Sequence, residues 1–191
     1  MLTIYIDFKS PASYLAIQPV RDLLEKYKLN CDWRGFNTVE RDIPDEGIDT
    51  NIAQSHATVR QKTMRANHRR YAALRDISLN FPEQQVDTRL ALGVLEEIEG
   101  NCDDYIDAVF NAYWSQQLDI SKPEIIGQLI AASSAHHSGD FSASLALLKK
   151  SQREAEAIGI VEAPAIIVDN QLFIGREHLP WVEEIIRQSY P

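Results

Sequence analysis

The chain has 191 residues and a formal net charge of −9. This length allows a sizeable apolar core, and the acidic balance argues against binding the phosphate backbone of nucleic acids. No apolar run reaches the roughly 20 residues that span a bilayer, and the first residues form a strand pattern instead of a basic, apolar leader. We therefore expect a cytoplasmic protein that binds neither nucleic acid nor membrane.

The stretch from Leu2 to Ala16 predicts a strand followed by a helix. Apolar and polar residues alternate as far as Phe8, which is typical of a strand. Ser10 suits the N-cap of a helix over 11–28, and Pro11 suits its first position. A hydroxyl there faces unpaired N–H groups and the positive end of the helix dipole, which favours an anion. Ser10 is the first candidate for chemistry; the alternative is that it only caps the helix.

The remaining elements form a strand, a helical block and a terminal β-β-α unit. A strand over 29–36 and a loop over 37–50 are followed by helices over 53–75, 88–99, 103–118, from 123, and 141–158. A hairpin over 165–174 and a helix over 179–189 end the chain. We predict an α/β fold in which 1–50 and 157–191 form one discontinuous domain and 51–156 is an all-helical insertion.

Metal and disulfide chemistry find little support. Cys31 and Cys102 are far apart and form no CxxC pair, so we predict small buried thiols in a reducing compartment. The five histidines include no HExxH spacing, and GxSxG is absent. No metal site is expected, and neither zinc nor serine hydrolysis is favoured.

Three segments carry a resemblance to known proteins. The run from Asp7 to Ala16 is similar to the Asp-Phe-x-Ser-Pro-x-Ser-Tyr-Leu-Ala signature of 2-hydroxychromene-2-carboxylate isomerases. Residues 158–165 resemble the segment that leads into a cis-proline loop, and 172–179 the stretch before the last helix. With the predicted order, the chain resembles thioredoxin-like folds with a helical insertion. That group holds DsbA-like disulfide oxidoreductases, kappa-class glutathione transferases and the chromene carboxylate isomerases.

This resemblance implies a glutathione site. In the redox branch a CxxC stands where this chain has Ser10-Pro11-Ala12-Ser13, so dithiol–disulfide exchange is not available there. In the glutathione branches the first serine contacts the sulfur, a role that falls to Ser10. Ala163 would precede a cis-proline, Pro164, and pair with the cysteinyl backbone. The alternative is an ordinary trans bond at a strand start.

The γ-glutamyl end of glutathione is expected near Arg176 and Glu177. Glu177 holds the acidic position that meets the ammonium group, or else it compensates the dipole of the last helix. Arg176 stands where the family commonly has a small or amide residue, and His178 where arginine is common. The cation at Arg176 would either crowd this pocket or recognise a carboxylate.

A basic stretch in the insertion is the candidate substrate contact. Lys62, Arg65 and Arg69 share one helical face, with no acidic residue between 60 and 75. We interpret them as a wall that binds the carboxylate of an aromatic substrate or the glycyl end of glutathione; the alternative is a solvated helix face. His68 is the histidine that we would substitute first.

The leading hypothesis is a glutathione-dependent isomerase of aromatic, carboxylate-bearing electrophiles. In the mechanism that the resemblance implies, the glutathione thiolate adds to a conjugated enone, the former double bond rotates, and the thiol leaves. The alternatives are a kappa-class-like transferase or peroxidase, and a thioredoxin-fold binding protein without chemistry. A homodimer is common in such families.

Overall fold

The computed structural model describes residues 2–39, 50–133 and 135–189, with the backbone alone at 50–55. Four strands are present in these ranges: β1 (Leu2–Ile6), β2 (Cys31–Gly35), β3 (Ala165–Val168) and β4 (Gln171–Ile174). The α-helices are α1 (Pro11–Tyr27), α2 (Thr50–Ala73), α3 (Arg89–Glu97), α4 (Asp103–Trp114), α5 (Pro123–Ser133), α6 (Phe141–Ala157) and α7 (Leu179–Ser189), and a short 3-10 turn, Arg176–His178, precedes α7. The predicted order is confirmed. The predicted loop over 37–50 lies outside the described residues from 40 to 49.

The predicted boundaries differ from the observed ones by up to three residues in most elements and by four residues at the end of α4. The sequence predicts a helix over 103–118, but α4 ends at Trp114. Gln117 adopts a positive φ of 56°, a left-handed conformation that an α-helix does not contain. The apolar side predicted for this helix is buried as expected.

The four strands form one sheet in the order β2-β1-β3-β4. β1 pairs with β2 in parallel and with β3 antiparallel, and β3 pairs with β4 antiparallel. Because β1 is central, Tyr5 is buried together with Ile4 and Ile6. Tyr5 lies opposite Ala165, so the chain leaving β1 and the chain entering β3 meet at the same end of the sheet. This is the predicted α/β arrangement.

The helical block packs directly on β2. A Cβ added to Gly35 would lie 3.0 Å from the carbonyl oxygen of Leu92 in α3. A Cβ on Gly93 would lie 2.8 Å from the carbonyl oxygen of Ser144 in α6. Both glycines therefore permit close approach of backbone to backbone. The main apolar core combines side chains of β1, α1, α3, α4 and α7. The predicted domain boundaries at 50/51 and 156/157 stay a prediction.

Cys102 is buried, as predicted, whereas Cys31 is only partly buried. Burial raises the pKa of Cys31 to about 12 and that of Cys102 to about 11, so both are thiols at neutral pH. In the described part of the chain, no helix is long and apolar enough to span a bilayer. Nor do its His, Cys, Asp and Glu side chains form a group of three that could hold a metal ion.

Candidate active site

Ser10 lies at the junction of β1 and α1. Its backbone is extended, with φ −83° and ψ 115°, and its Oγ accepts a hydrogen bond from the N–H of Ser13 at 3.2 Å. The same hydroxyl donates to the carbonyl oxygen of Ala163 at 3.0 Å. Ser10 therefore caps the helix, which was the purely structural alternative for this residue. It also contacts the loop at Ala163, as the functional hypothesis requires.

The peptide bond between Ala163 and Pro164 is cis, as the resemblance implies. Ala163 is buried, and the carbonyl oxygen of Pro164 accepts a hydrogen bond from Gly175 N–H at 2.8 Å. The antiparallel pairing of β1 with β3 brings this loop opposite the start of α1. Residues 10 and 163, distant in sequence, thus form one corner of the molecule.

A cavity of about 340 Å³ opens at this corner. Its lining includes Ser10 and Ala163, side chains from one face of α2, and the last two residues of α4. The side chains from α2 are Ala57, Arg60, Gln61, Met64, Arg65 and His68. The size falls within the range of small-molecule sites in proteins.

The predicted basic wall is placed only in part against this cavity. Arg65 lines it, whereas Lys62 and Arg69 are absent from the lining and Arg60, which the prediction omitted, is present. Arg65 and Arg69 both stack on Phe81, with guanidinium carbons 5.4 and 5.0 Å from the ring centroid. The spacing of the three cations identified one helical face but not how that face is rotated about the axis of α2.

Arg176 and Glu177 lie beyond the cavity lining. The Arg176 guanidinium sits 3.6 Å from the ring centroid of Tyr71, a cation–π contact. The Glu177 carboxylate folds back so that a Cβ at Gly175 would lie 2.6 Å from its Oε1. Neither bulky side chain therefore enters the cavity beside Ser10.

His68 lines the cavity and is close enough to Arg176 and Glu177 to be affected by their charges. Burial lowers its pKa below the ordinary histidine value, Arg176 lowers it further, and Glu177 acts in the opposite direction. Its Nδ1 is buried and has no hydrogen-bond partner among the described residues. His68 is therefore a neutral ring at physiological pH, with one nitrogen unused at the cavity edge.

A buried ion pair lies next to the cavity, and the sequence did not predict it. Asp7 is fully buried, and its carboxylate accepts hydrogen bonds from Thr38 N–H at 2.9 Å and from Thr88 Oγ1 at 2.8 Å. Lys9 Nζ lies 2.8 Å from Asp7 Oδ2 and donates to Asn37 Oδ1 at 2.6 Å. These contacts tie the start of α1 to the chain after β2 and to the start of α3. The sequence signal that could have pointed to this ion pair was Asp7, an acidic residue inside the segment that resembles the isomerase signature.

Two aromatic residues at the end of α4 form another wall. Trp114 Nε1 donates to the carbonyl oxygen of Phe8 at 2.9 Å, and its ring meets Phe81 edge to face at 5.5 Å. Tyr113 is only 1% exposed. Its burial and the nearby Asp7 carboxylate raise the pKa of Tyr113 to about 12. The helical spacing predicted Tyr113 and Trp114 as core residues, and it gave no sign that they also line a cavity.

Comparisons with known proteins show which proteins the whole chain is similar to. A 2-hydroxychromene-2-carboxylate isomerase of Pseudomonas putida is 24% identical over 187 residues, which cover 94% of this chain and 90% of the relative. A solved structure of a 2-hydroxychromene-2-carboxylate isomerase is similar with a TM-score of 0.73 at 20% identity, covering 98% of this chain and 95% of that one.

The fold is shared with a second kind of protein as well. A crystal structure from Nitrosomonas europaea, of a protein proposed to be a disulfide isomerase, has a TM-score of 0.64 at 11% identity and covers 100% of this chain and 98% of its own. The family model "DSBA-like thioredoxin domain" matches residues 1–187. Because that match extends over nearly the whole chain, the protein belongs to the DSBA-like thioredoxin domain family.

Proposed function

We propose that the protein is a glutathione-dependent isomerase of aromatic, carboxylate-bearing electrophiles. The observation that carries this proposal is the Ser10 hydroxyl at the start of α1, facing the cis-proline loop on the wall of a cavity. The similarity to 2-hydroxychromene-2-carboxylate isomerase, in sequence and in fold, supports the reaction class. With serines at both ends of the Ser10-Pro11-Ala12-Ser13 segment, dithiol exchange there is excluded.

Ser10 is placed to stabilise a thiolate. It caps a helix of 17 residues that has no acidic side chain in its first turn, so the helix dipole acts there uncompensated. A hydroxyl and helix N-terminal N–H groups together lower the pKa of a thiol. When Ser10 Oγ turns to a sulfur, it releases the carbonyl oxygen of Ala163, to which it now donates. That carbonyl can then accept the N–H of the cysteinyl residue of glutathione, in a strand-like pairing.

The cavity beside Ser10 suits the second substrate. Phe81 and Trp114 contribute aromatic side chains to the lining, and Arg60 and Arg65 contribute positive charge, with Arg65 stacked on Phe81. A planar aromatic acid would stack on the rings while a guanidinium binds its carboxylate. Glu177 lies past His68, where the γ-glutamyl end of glutathione would extend, and we propose that it meets the ammonium group.

Turnover of 2-hydroxychromene-2-carboxylate, with and without glutathione, tests this proposal. We expect glutathione-dependent isomerisation by the wild type and a large fall in kcat for Ser10→Ala. Ser10→Thr keeps a hydroxyl and a good N-cap, so it should retain more activity than the alanine variant. Ser142→Ala, at an exposed position near the start of α6, is the control and should match the wild type.

Three results would contradict the proposal. Undiminished turnover by Ser10→Ala would remove this hydroxyl from the chemistry. If glutathione gives no heat in calorimetric titration and no thermal stabilisation of the wild type, the protein is instead a binding module of the same fold. Activity with a generic aryl halide but not with the chromene would select the transferase alternative.

A further inference from the structure

Tyr113 is a cavity-lining residue with a deeply buried hydroxyl group. Its side chain is only 1% exposed and lines the cavity, yet its hydroxyl has no hydrogen-bond acceptor within the described ranges. The backbone N–H of Val86 acts on the phenol oxygen and lowers its pKa. An N–H group accepts nothing, so the hydrogen of the Tyr113 hydroxyl is left without an acceptor.

Tyr105, also in α4, is a buried tyrosine with a structural role and serves as a comparison. Tyr105 is also fully buried, and its hydroxyl donates to the carbonyl oxygen of Ala91 at 2.9 Å. Buried hydroxyl groups are normally satisfied in this way, because an unpaired polar group is costly. Two further buried atoms on the cavity wall, Thr38 Oγ1 and His68 Nδ1, are also without partners in the described part of the chain. This concentration of unused polar atoms indicates a ligand with its own polar groups.

We propose that Tyr113 donates the hydrogen bond that stabilises the substrate oxygen on which negative charge develops during isomerisation. This inference rests on the proposed function and on the conjugated enone substrate that the resemblance implies. The thiolate sulfur forms a bond to the β-carbon, and the π electrons move to the carbonyl oxygen and give an enolate. Rotation about the resulting single bond and expulsion of the thiolate restore the enone. Atoms and charge balance without an oxidant or a reductant.

The surroundings of Tyr113 suit this role. Because burial raises its pKa to about 12, it stays protonated and can donate at neutral pH. The neighbouring Asp7 carboxylate is offset by Lys9 at 2.8 Å, which reduces its repulsion of an enolate. An enzyme needs such a donor where charge appears in the transition state, and one donor of this kind typically contributes about 10²–10³-fold to kcat.

The test compares Tyr113→Phe with Tyr105→Phe, two substitutions that each remove one buried hydroxyl from α4. For Tyr113→Phe we expect kcat with the chromene to fall by about 10²-fold or more while KM changes little, since the charge exists only beyond the ground state. Its thermal midpoint should fall by less than that of Tyr105→Phe, because the Tyr113 hydroxyl has no acceptor to lose and only the Val86 N–H loses the phenol oxygen near it. Tyr105→Phe should keep full activity and lose about 2–4 °C in midpoint.

The outcomes separate this inference from the proposed function. If the wild type isomerises the chromene and Tyr113→Phe does so with the same kcat, the role of Tyr113 is refuted and the proposed function stands. If the wild type binds no glutathione and has no activity, the proposed function fails and this inference fails with it. If Tyr113→Phe loses activity only because its midpoint falls like that of Tyr105→Phe, the hydroxyl is structural and the inference is wrong.

Discussion

Lys9→Met removes one partner of the buried ion pair beside the cavity. The two charged groups lie 2.8 Å apart, and the side chains of Asp7 and Lys9 are 0% and 14% exposed. At an effective dielectric constant of about 20, this distance corresponds to a gross attraction of about 6 kcal/mol. Removing one member of a buried pair typically costs about 3–5 kcal/mol, because the other charge stays buried.

The contacts that Asp7 keeps place the cost at the lower end of this range. In the variant, Thr38 N–H and Thr88 Oγ1 still donate to its carboxylate. We therefore expect a loss of about 3 kcal/mol in the free energy of unfolding. For a chain of this size each kcal/mol lowers the thermal midpoint by about 2–4 °C, so the midpoint should fall by about 6–12 °C.

A double-mutant cycle with Asp7→Asn measures the coupling itself. The free energy of unfolding is obtained from urea titrations of wild type, both single variants and the double variant. The double variant should be more stable than the sum of the single losses predicts, by about 1–3 kcal/mol. The exposed Lys149→Met in α6 is the control and should stay within about 0.5 kcal/mol of the wild type. Additive losses in Asp7→Asn and Lys9→Met would refute the reasoning.

Two further predictions concern charge. Arg65→Ala should raise KM for a carboxylate-bearing substrate about 10-fold with little change in kcat. Lys62 lies outside the cavity lining, so Lys62→Ala is the control and should leave KM and kcat unchanged. Equal effects of the two substitutions would contradict a role for Arg65 in binding the substrate. Burial acts to raise the pKa of Glu97, but hydrogen bonds from Ser138 and Ser144 outweigh it and lower the pKa to about 2 from an ordinary 4.5. Glu97 therefore stabilises the fold above pH 4.5, and this contribution is lost as the pH falls towards 2. The stability difference between wild type and Glu97→Gln, followed by urea titration, should shrink over that window, and a constant difference would contradict the assignment.

The strand-to-helix junction and the order of elements were predictable because local signals agree there. Alternation to Phe8, an N-cap hydroxyl at Ser10 and a proline at the first helical position all indicate the same boundary. Strand pairing then follows from a β-α-β start and a β-β-α end. The corner between Ser10 and Ala163 depends on that pairing, so it was accessible from sequence once the resemblance supplied the cis-proline.

The residues that line the cavity were harder to predict from the sequence, because the spacing of apolar residues indicates burial but not what a buried side chain faces. Tyr113 and Trp114 fit the apolar stripe of α4 as well as any core residue does. Asp7 occupies the polar phase of a strand pattern, and only the partners at 9, 38 and 88 explain its burial. The basic face of α2 was recognised, but its rotation is set by packing, which left Lys62 and Arg69 outside the lining and brought in Arg60.

Stabilisation of a glutathione thiolate by Ser10 is the claim on which the proposed function depends. It is tested most directly by titrating the ultraviolet thiolate absorbance of bound glutathione against pH, in the wild type and in Ser10→Ala. We expect the pKa of the bound thiol to lie at least about one unit below that of free glutathione in the wild type, and to rise in the alanine variant. A thiol that titrates in the wild-type complex as it does free in solution would contradict the account.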